Sequence, residues 1–258
     1  MGSTDVPVGG GSVGSMAKLA LAILVLVGGW KLFLAPSQID ADVAYPLRYR
    51  TQVVGPAGSG DRLPLLVVLH GAGADEEDLD GVFADFTVPV RVVSFRAPER
   101  SGSGYVWAYG RGADREEARE AHQQMFRDVA ESLAVGADEV AARYPTEGKP
   151  MVFGFSQGAS MAWYLGAHHP EHFAAVFAVA GAVNPELLEG LHVARRPPFF
   201  AYHGRKDGVV PLNRGQKTAG AIEALAGNVV FEEFDDGHTV PLSVREDLQR
   251  RIQRLGAG

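Results

Sequence analysis

The sequence predicts a doubly wound α/β fold on a mainly parallel sheet. Three observations carry that expectation. Short apolar runs of strand length recur, such as 63–69 and 173–179, with the continuous hydrophobicity of strands buried on both faces. Segments of helical period separate them, which calls for right-handed crossovers rather than hairpins. At 151–165 a strand-like run, a serine between two glycines and a helix-like run follow one another directly. The 258 residues suffice for one sizeable core with an appendage.

The elements follow in order. Residues 1–15 are rich in Gly and Ser without apolar period and are expected to be a disordered leader. Residues 16–36 form an apolar segment whose centre, AKLALAILVLVGGWKLFLA at 17–35, is near the ~20 residues that span a bilayer. A membrane anchor, a secretory signal and a buried amphipathic helix compete for it. The anchor is favoured because the run is apolar on every face, whereas Pro36 and the lack of an A-x-A site disfavour cleavage. Membrane association through 17–35 would make the protein anchored or exported rather than cytoplasmic. Lysines at both ends leave the orientation unspecified.

Residues 37–46 are expected to form a polar linker, and 47–258 the globular body. Leu47–Val54 alternates like an edge strand with one wet face. The buried strand at 63–69 ends in His70-Gly71-Ala72-Gly73-Ala74-Asp75, where Asp75 is placed to cap a helix over 76–86. A strand at 91–95 leads to a glycine-rich loop, 101–110, carrying Tyr105, Trp107 and Tyr109. A helix over 115–144 precedes the serine strand. Beyond it come strands at 173–179, 199–203 and 229–234, and helices at 213–225 and 240–255.

The chemistry centres on Gly154-Phe155-Ser156-Gln157-Gly158. Ser at the apex of a strand-to-helix turn is the layout of a nucleophile elbow, in which glycines let strand and helix approach closely. Gly10–Gly14 also fits G-x-S-x-G, but neither follows a strand nor opens a helix. A serine hydroxyl needs a base, and that base needs an orienting acid. In hydrolases of this sheet type the chain order is Ser, acid, His. Asp207 lies in the loop after the strand at 199–203, and His238 just beyond the last strand, which satisfies that order. Asp235 and Asp236 are competing acids expected to face solvent, and His203 is expected to make a structural hydrogen bond. An oxyanion hole is expected from the backbone N–H groups of Gln157 and, in the glycine turn, Ala72.

The blocks LHGAGADEEDL, GFSQGAS, HGRKDGVVP and GHTV resemble those of the small carboxylesterase/phospholipase family, to which acyl-protein thioesterases and short-chain bacterial esterases belong. The resemblance runs from Leu47 to the C-terminus. It implies the α/β-hydrolase fold, a triad of Ser156, Asp207 and His238, and an oxyanion hole at Ala72 and Gln157. The connection at 181–197 is too short for a helical lid, so little or no lid is expected.

The expected activity is a serine carboxylic-ester hydrolase acting on short- to medium-chain esters or thioesters through an acyl-enzyme. Trp107, Met161 and Val209 are candidate pocket-lining residues, and small-molecule or protein-borne esters the expected substrates. The alternatives are acyl transfer or peptide cleavage on the same triad, or a membrane-tethered binding protein on a non-catalytic hydrolase fold. No metal or organic cofactor is implied. A net charge of −7 gives no case for nucleic acid. The absence of Cys excludes disulfides, a Cys nucleophile and thiolate metal sites. The mechanism needs a neutral imidazole, so activity should fall as pH drops through roughly 6 to 7.

Overall fold

The computed structural model describes residues 38–40, 47–110, 113–191, 195–225 and 227–256, all within a compact unit spanning Pro36–Gly258. The leader, the apolar segment 17–35 and most of the linker lie outside the described residues. Among the described residues, no helix is long and apolar enough to cross a membrane.

The main sheet contains β1 (Gln38–Asp40), β2 (Tyr49–Val54), β3 (Leu65–Leu69), β4 (Val90–Phe95), β7 (Met151–Phe155), β8 (Ala175–Val179), β9 (Phe199–Gly204) and β10 (Val229–Phe234). Their spatial order is β1-β2-β4-β3-β7-β8-β9-β10. Every pair from β4 to β10 is parallel, while β1–β2 and β2–β4 are antiparallel. A small hairpin, β5 (Glu99–Ser101) and β6 (Gly104–Val106), stands apart. The helices are α1 (Asp80–Phe83), α2 (Arg115–Arg143), α3 (Gln157–His168), α4 (Leu212–Ala224) and α5 (Leu242–Gly256).

The continuous apolar strands follow from this layering. Along β3, Leu65, Val67 and Leu69 enter the core that packs α2, α3 and α4, while Leu66 and Val68 enter the one that packs α1 and α5. Alternate side chains leave a strand on opposite faces, and both faces here are covered. Each such fully buried side chain is worth roughly 1.5–3 kcal/mol over an exposed one. Helix α2 starts where the Asp114 carboxylate accepts hydrogen bonds from the N–H groups of Glu116 and Glu117. It ends as Tyr144 turns extended before Pro145.

The structure departs from the sequence expectations in three places. Residues 38–40 of the linker form β1, so β2 is interior to the sheet rather than its edge. The helix expected over 76–86 shrinks to Asp80–Phe83. Asp75 does accept from the Glu77 N–H, at 3.0 Å, but this closes a turn. The Glu76 carboxylate is buried against the Arg96 guanidinium, and the chain stays in turns until 79. Part of the expected loop at 101–110 is instead strand β6 of the hairpin, with Gly102 at φ 63° in its two-residue turn.

The chain passes from β3 to β4 on one side and returns through β7 on the other. This order reversal opens a crevice at the carboxyl ends of β3 and β7, where open α/β sheets place their ligands. Between β8 and β9 the described residues hold a single 3₁₀ turn, Pro185–Leu188, and no lid helix.

Candidate active site

Ser156 is the single residue between β7 and α3, held at φ 56° and ψ −116°. That conformation costs a non-glycine residue about 1–3 kcal/mol and persists only where the surroundings impose it. Here the Ser156 N–H donates to the Val179 carbonyl at 3.0 Å, and its own carbonyl accepts from the Ser160 N–H at 3.1 Å. A Cβ on Gly154 would lie 2.1 Å from the Gly158 oxygen, and one on Gly158 2.1 Å from the Leu69 oxygen. Both glycines therefore allow backbone to meet backbone, so that β7, α3 and the end of β3 converge at the serine.

The acid and the histidine come from adjacent loops. The Arg205 N–H donates to the Phe234 carbonyl and the Lys206 N–H to the Asp236 carbonyl, at 2.9 and 3.0 Å, zipping the loop after β9 to the loop after β10. His238 Nδ1 donates to Asp207 Oδ2 at 2.8 Å. Asp207 Oδ1 accepts from the N–H groups of Val209 and Val210, each at 2.8 Å. Burial raises the pKa of the Asp207 carboxyl, but the hydrogen bonds from His238, Val210 and Val209 outweigh it and leave the pKa below its ordinary value. The His238 ring packs on Phe155, the neighbour of Ser156, with centroids 4.8 Å apart.

His203 makes the structural bond expected of it, donating from Nε2 to the Val210 carbonyl at 2.8 Å inside the core. Asp235 and Asp236 are exposed. One pairs with Lys206, and the other accepts from the Gly237 N–H.

The glycine turn after β3 is fixed by His70. Its Nε2 accepts from the Ala97 N–H at 3.1 Å, so the ring proton sits on Nδ1, which donates to the Gly71 carbonyl at 2.7 Å. Burial lowers the His70 pKa and keeps the ring neutral. The Gly73 N–H donates to the Tyr105 carbonyl of β6, which ties the hairpin to the turn. Gly104 faces Gly73 so closely that a Cβ would lie 1.9 Å from its oxygen. Ala72 is exposed between these fixed neighbours, and the position a Cβ on Gly71 would take is 3.4 Å from the Ser156 Cβ. Gln157 opens α3, where the first N–H groups have no intrahelical acceptor.

The side chain of Gln157 has a part the sequence did not reveal. Its Oε1 accepts from the Trp107 N–H at 2.9 Å, and its Nε2 donates to the Ala108 carbonyl at 2.7 Å. Trp107 in turn donates from Nε1 to the His70 carbonyl at 2.8 Å. Trp107 and Met161, candidate lining residues, are fully buried, whereas Val209 is 66% exposed beside Asp207. A groove of about 890 Å³ runs elsewhere, along α2 between Leu47, Pro98 and Met125, and none of Ser156, Asp207 and His238 lines it.

Esterase PE8 is similar to this chain, with 28% identity, a TM-score of 0.63, and coverage of 79% of this chain and 99% of that one. The Bacillus cereus carboxylesterase follows with 19% identity and a TM-score of 0.66, covering 81% of this chain and 94% of that one. Zea mays acyl-protein thioesterase 2 has 20% identity and a TM-score of 0.61, covering 80% of this chain and 99% of that one. At such identities the latter two are likenesses of fold. A search of curated proteins finds no match. Residues 53–255 match the phospholipase/carboxylesterase family, and with the α/β-hydrolase sheet around Ser156 the chain belongs to that family of serine hydrolases.

Proposed function

We propose that this hydrolase cleaves short- to medium-chain carboxylic esters or thioesters through an acyl-enzyme on Ser156. The observation that carries the reading is the 2.8 Å bond from His238 Nδ1 to Asp207, beside the serine elbow. With Nδ1 committed to the carboxylate, Nε2 is the free base. Nε2 takes the Ser156 hydroxyl proton as Oγ bonds to the substrate carbonyl carbon. The oxyanion is held by the N–H groups of Ala72 and Gln157 at the positive end of α3. Collapse breaks the ester bond, and the leaving alcohol or thiol takes the proton from Nε2. Water then repeats the sequence, releasing the acid and restoring Ser156.

Among the described residues the connection between β8 and β9 holds a 3₁₀ turn and no covering helix, which supports soluble or protein-borne esters as the substrates. Val209, exposed and two residues from Asp207, is the proposed contact for the acyl chain.

The test is a panel of p-nitrophenyl esters of rising chain length, with fluorophosphonate labelling of the same protein. Turnover with an optimum at short or medium chains, and a single label on Ser156, are expected. An unlabelled Ser156 rules the proposal out. An added alcohol or amine that captures most of the acyl group would instead favour acyl transfer.

A further inference from the structure

Helix α3 carries Ser156 at its start and ends in His168-His169-Pro170-Glu171-His172, with His169 as its C-cap. Twelve residues separate the two ends, or ~18 Å at 1.5 Å per residue, so this cluster is remote from the triad. One donor atom from each of His169, Glu171 and His172 lies within 4.8 Å of the other two. His172 Nε2 is 3.3 Å from Glu171 Oε1. Two ligands sharing a tetrahedral zinc ion at ~2.1 Å stand ~3.4 Å apart, so this pair already matches the edge of a coordination shell. The His169 donor, within 4.8 Å of the other two, completes the set.

The other nitrogen of His172 supplies a second, independent observation. Its Nδ1 is 2.7 Å from Asp138 Oδ2 on α2. A carboxylate on the far nitrogen is the usual partner of a metal-binding histidine, because it fixes the tautomer and aims Nε2 outward.

We propose that His169, Glu171 and His172 form a surface site for Zn²⁺, with Asp138 positioning His172. Two imidazoles and one carboxylate select a borderline-soft cation over Mg²⁺ or Ca²⁺, which want oxygen donors. The bound ion would join the end of α3 to the start of the segment leading to β8 and, through Asp138, to α2. The competing reading is that Asp138 and Glu171 hold His172 by direct contacts alone, which binds no metal.

Calorimetric titration of the full-length protein with ZnCl₂ at pH 7.5 separates the two. One equivalent is expected to bind with micromolar Kd, unaffected by millimolar MgCl₂. The melting temperature should rise roughly 5–10 °C at a hundredfold excess over Kd. The double variant His169→Ala/His172→Ala is expected to lose the binding. Glu171→Gln, at an exposed position, should weaken it while leaving circular dichroism and ester turnover unchanged. Asp138→Asn should weaken it about 10- to 100-fold. Affinity weaker than millimolar, or wild-type binding retained by the double variant, would mean an adventitious ion only and overturns the site. Unchanged affinity in Asp138→Asn removes Asp138 from it.

Discussion

Ser156→Ala is expected to lower kcat for a p-nitrophenyl ester by about 10⁵- to 10⁶-fold, the scale on which a triad serine acts. On the proposed mechanism no acyl-enzyme forms without Oγ, and the residual rate would come from water attacking a carbonyl bound at the proposed amides of Ala72 and Gln157. KM should change little, because those donors are backbone groups that the substitution leaves in place. The fold should persist as well. Alanine at φ 56° is no more strained than serine, and the bonds that impose the conformation are made by the main chain. His238→Ala is expected to cost about as much, and the double variant no more than either alone, since the two residues act as a unit. A Ser156→Ala protein with turnover within tenfold of wild type excludes the mechanism.

Asp207→Asn carries the second-largest effect, a fall of about 10³- to 10⁴-fold in kcat. Asp207 is acceptor-only, with Val209 and Val210 on one oxygen and His238 on the other. An amide cannot satisfy both sides. With its oxygen toward the two N–H groups, its NH₂ faces Nδ1, and the ring must shift its proton to Nε2, where a proton blocks the base. With the amide turned over, the NH₂ meets two backbone donors and leaves them unsatisfied, at about 1–3 kcal/mol each. Either arrangement predicts a lower kcat at unchanged protein concentration by active-site titration. The measurement is kcat against pH for both proteins. Wild-type rates in Asp207→Asn would transfer the acid role to another residue.

The serine elbow was legible because its determinants are local: an apolar strand, two glycines, a serine and a helix within fifteen positions. The meeting of Asp207 and His238 was legible because they lie in the loops after the neighbouring strands β9 and β10. What stayed hidden depends on contacts between distant segments. Gln157 reaches the backbone of Trp107 and Ala108, some fifty positions earlier, and no periodicity announces a side chain that bonds main-chain atoms. β1 is three residues long, so Gln38-Ile39-Asp40 carries too little pattern to mark a strand. The buried Glu76–Arg96 pair reads in the sequence as two solvated charges and explains why the helix begins late. The hairpin did leave a signal. Gly102-Ser103 between two three-residue runs fits a two-residue hairpin turn, but the surrounding glycines masked it.

The fixed tautomer of His70 has a consequence for the molecule in acid. In the unfolded chain this ring gains a proton near its ordinary value of 6.5, whereas the folded protein holds it neutral to lower pH. Unfolding therefore takes up a proton in the window between, and the stability His70 lends is complete above 6.5 and lost as pH falls through the folded pKa. His122 and His168, also lowered by burial, add to the uptake with the same sign. The urea midpoint should fall between pH 7 and pH 5.5, and a flat midpoint there contradicts it. Protonating Nε2 would also expel the Ala97 N–H, while Nδ1–H keeps its bond to the Gly71 carbonyl. Acidification thus loosens the tie between the glycine turn after β3 and Ala97, in the segment after β4.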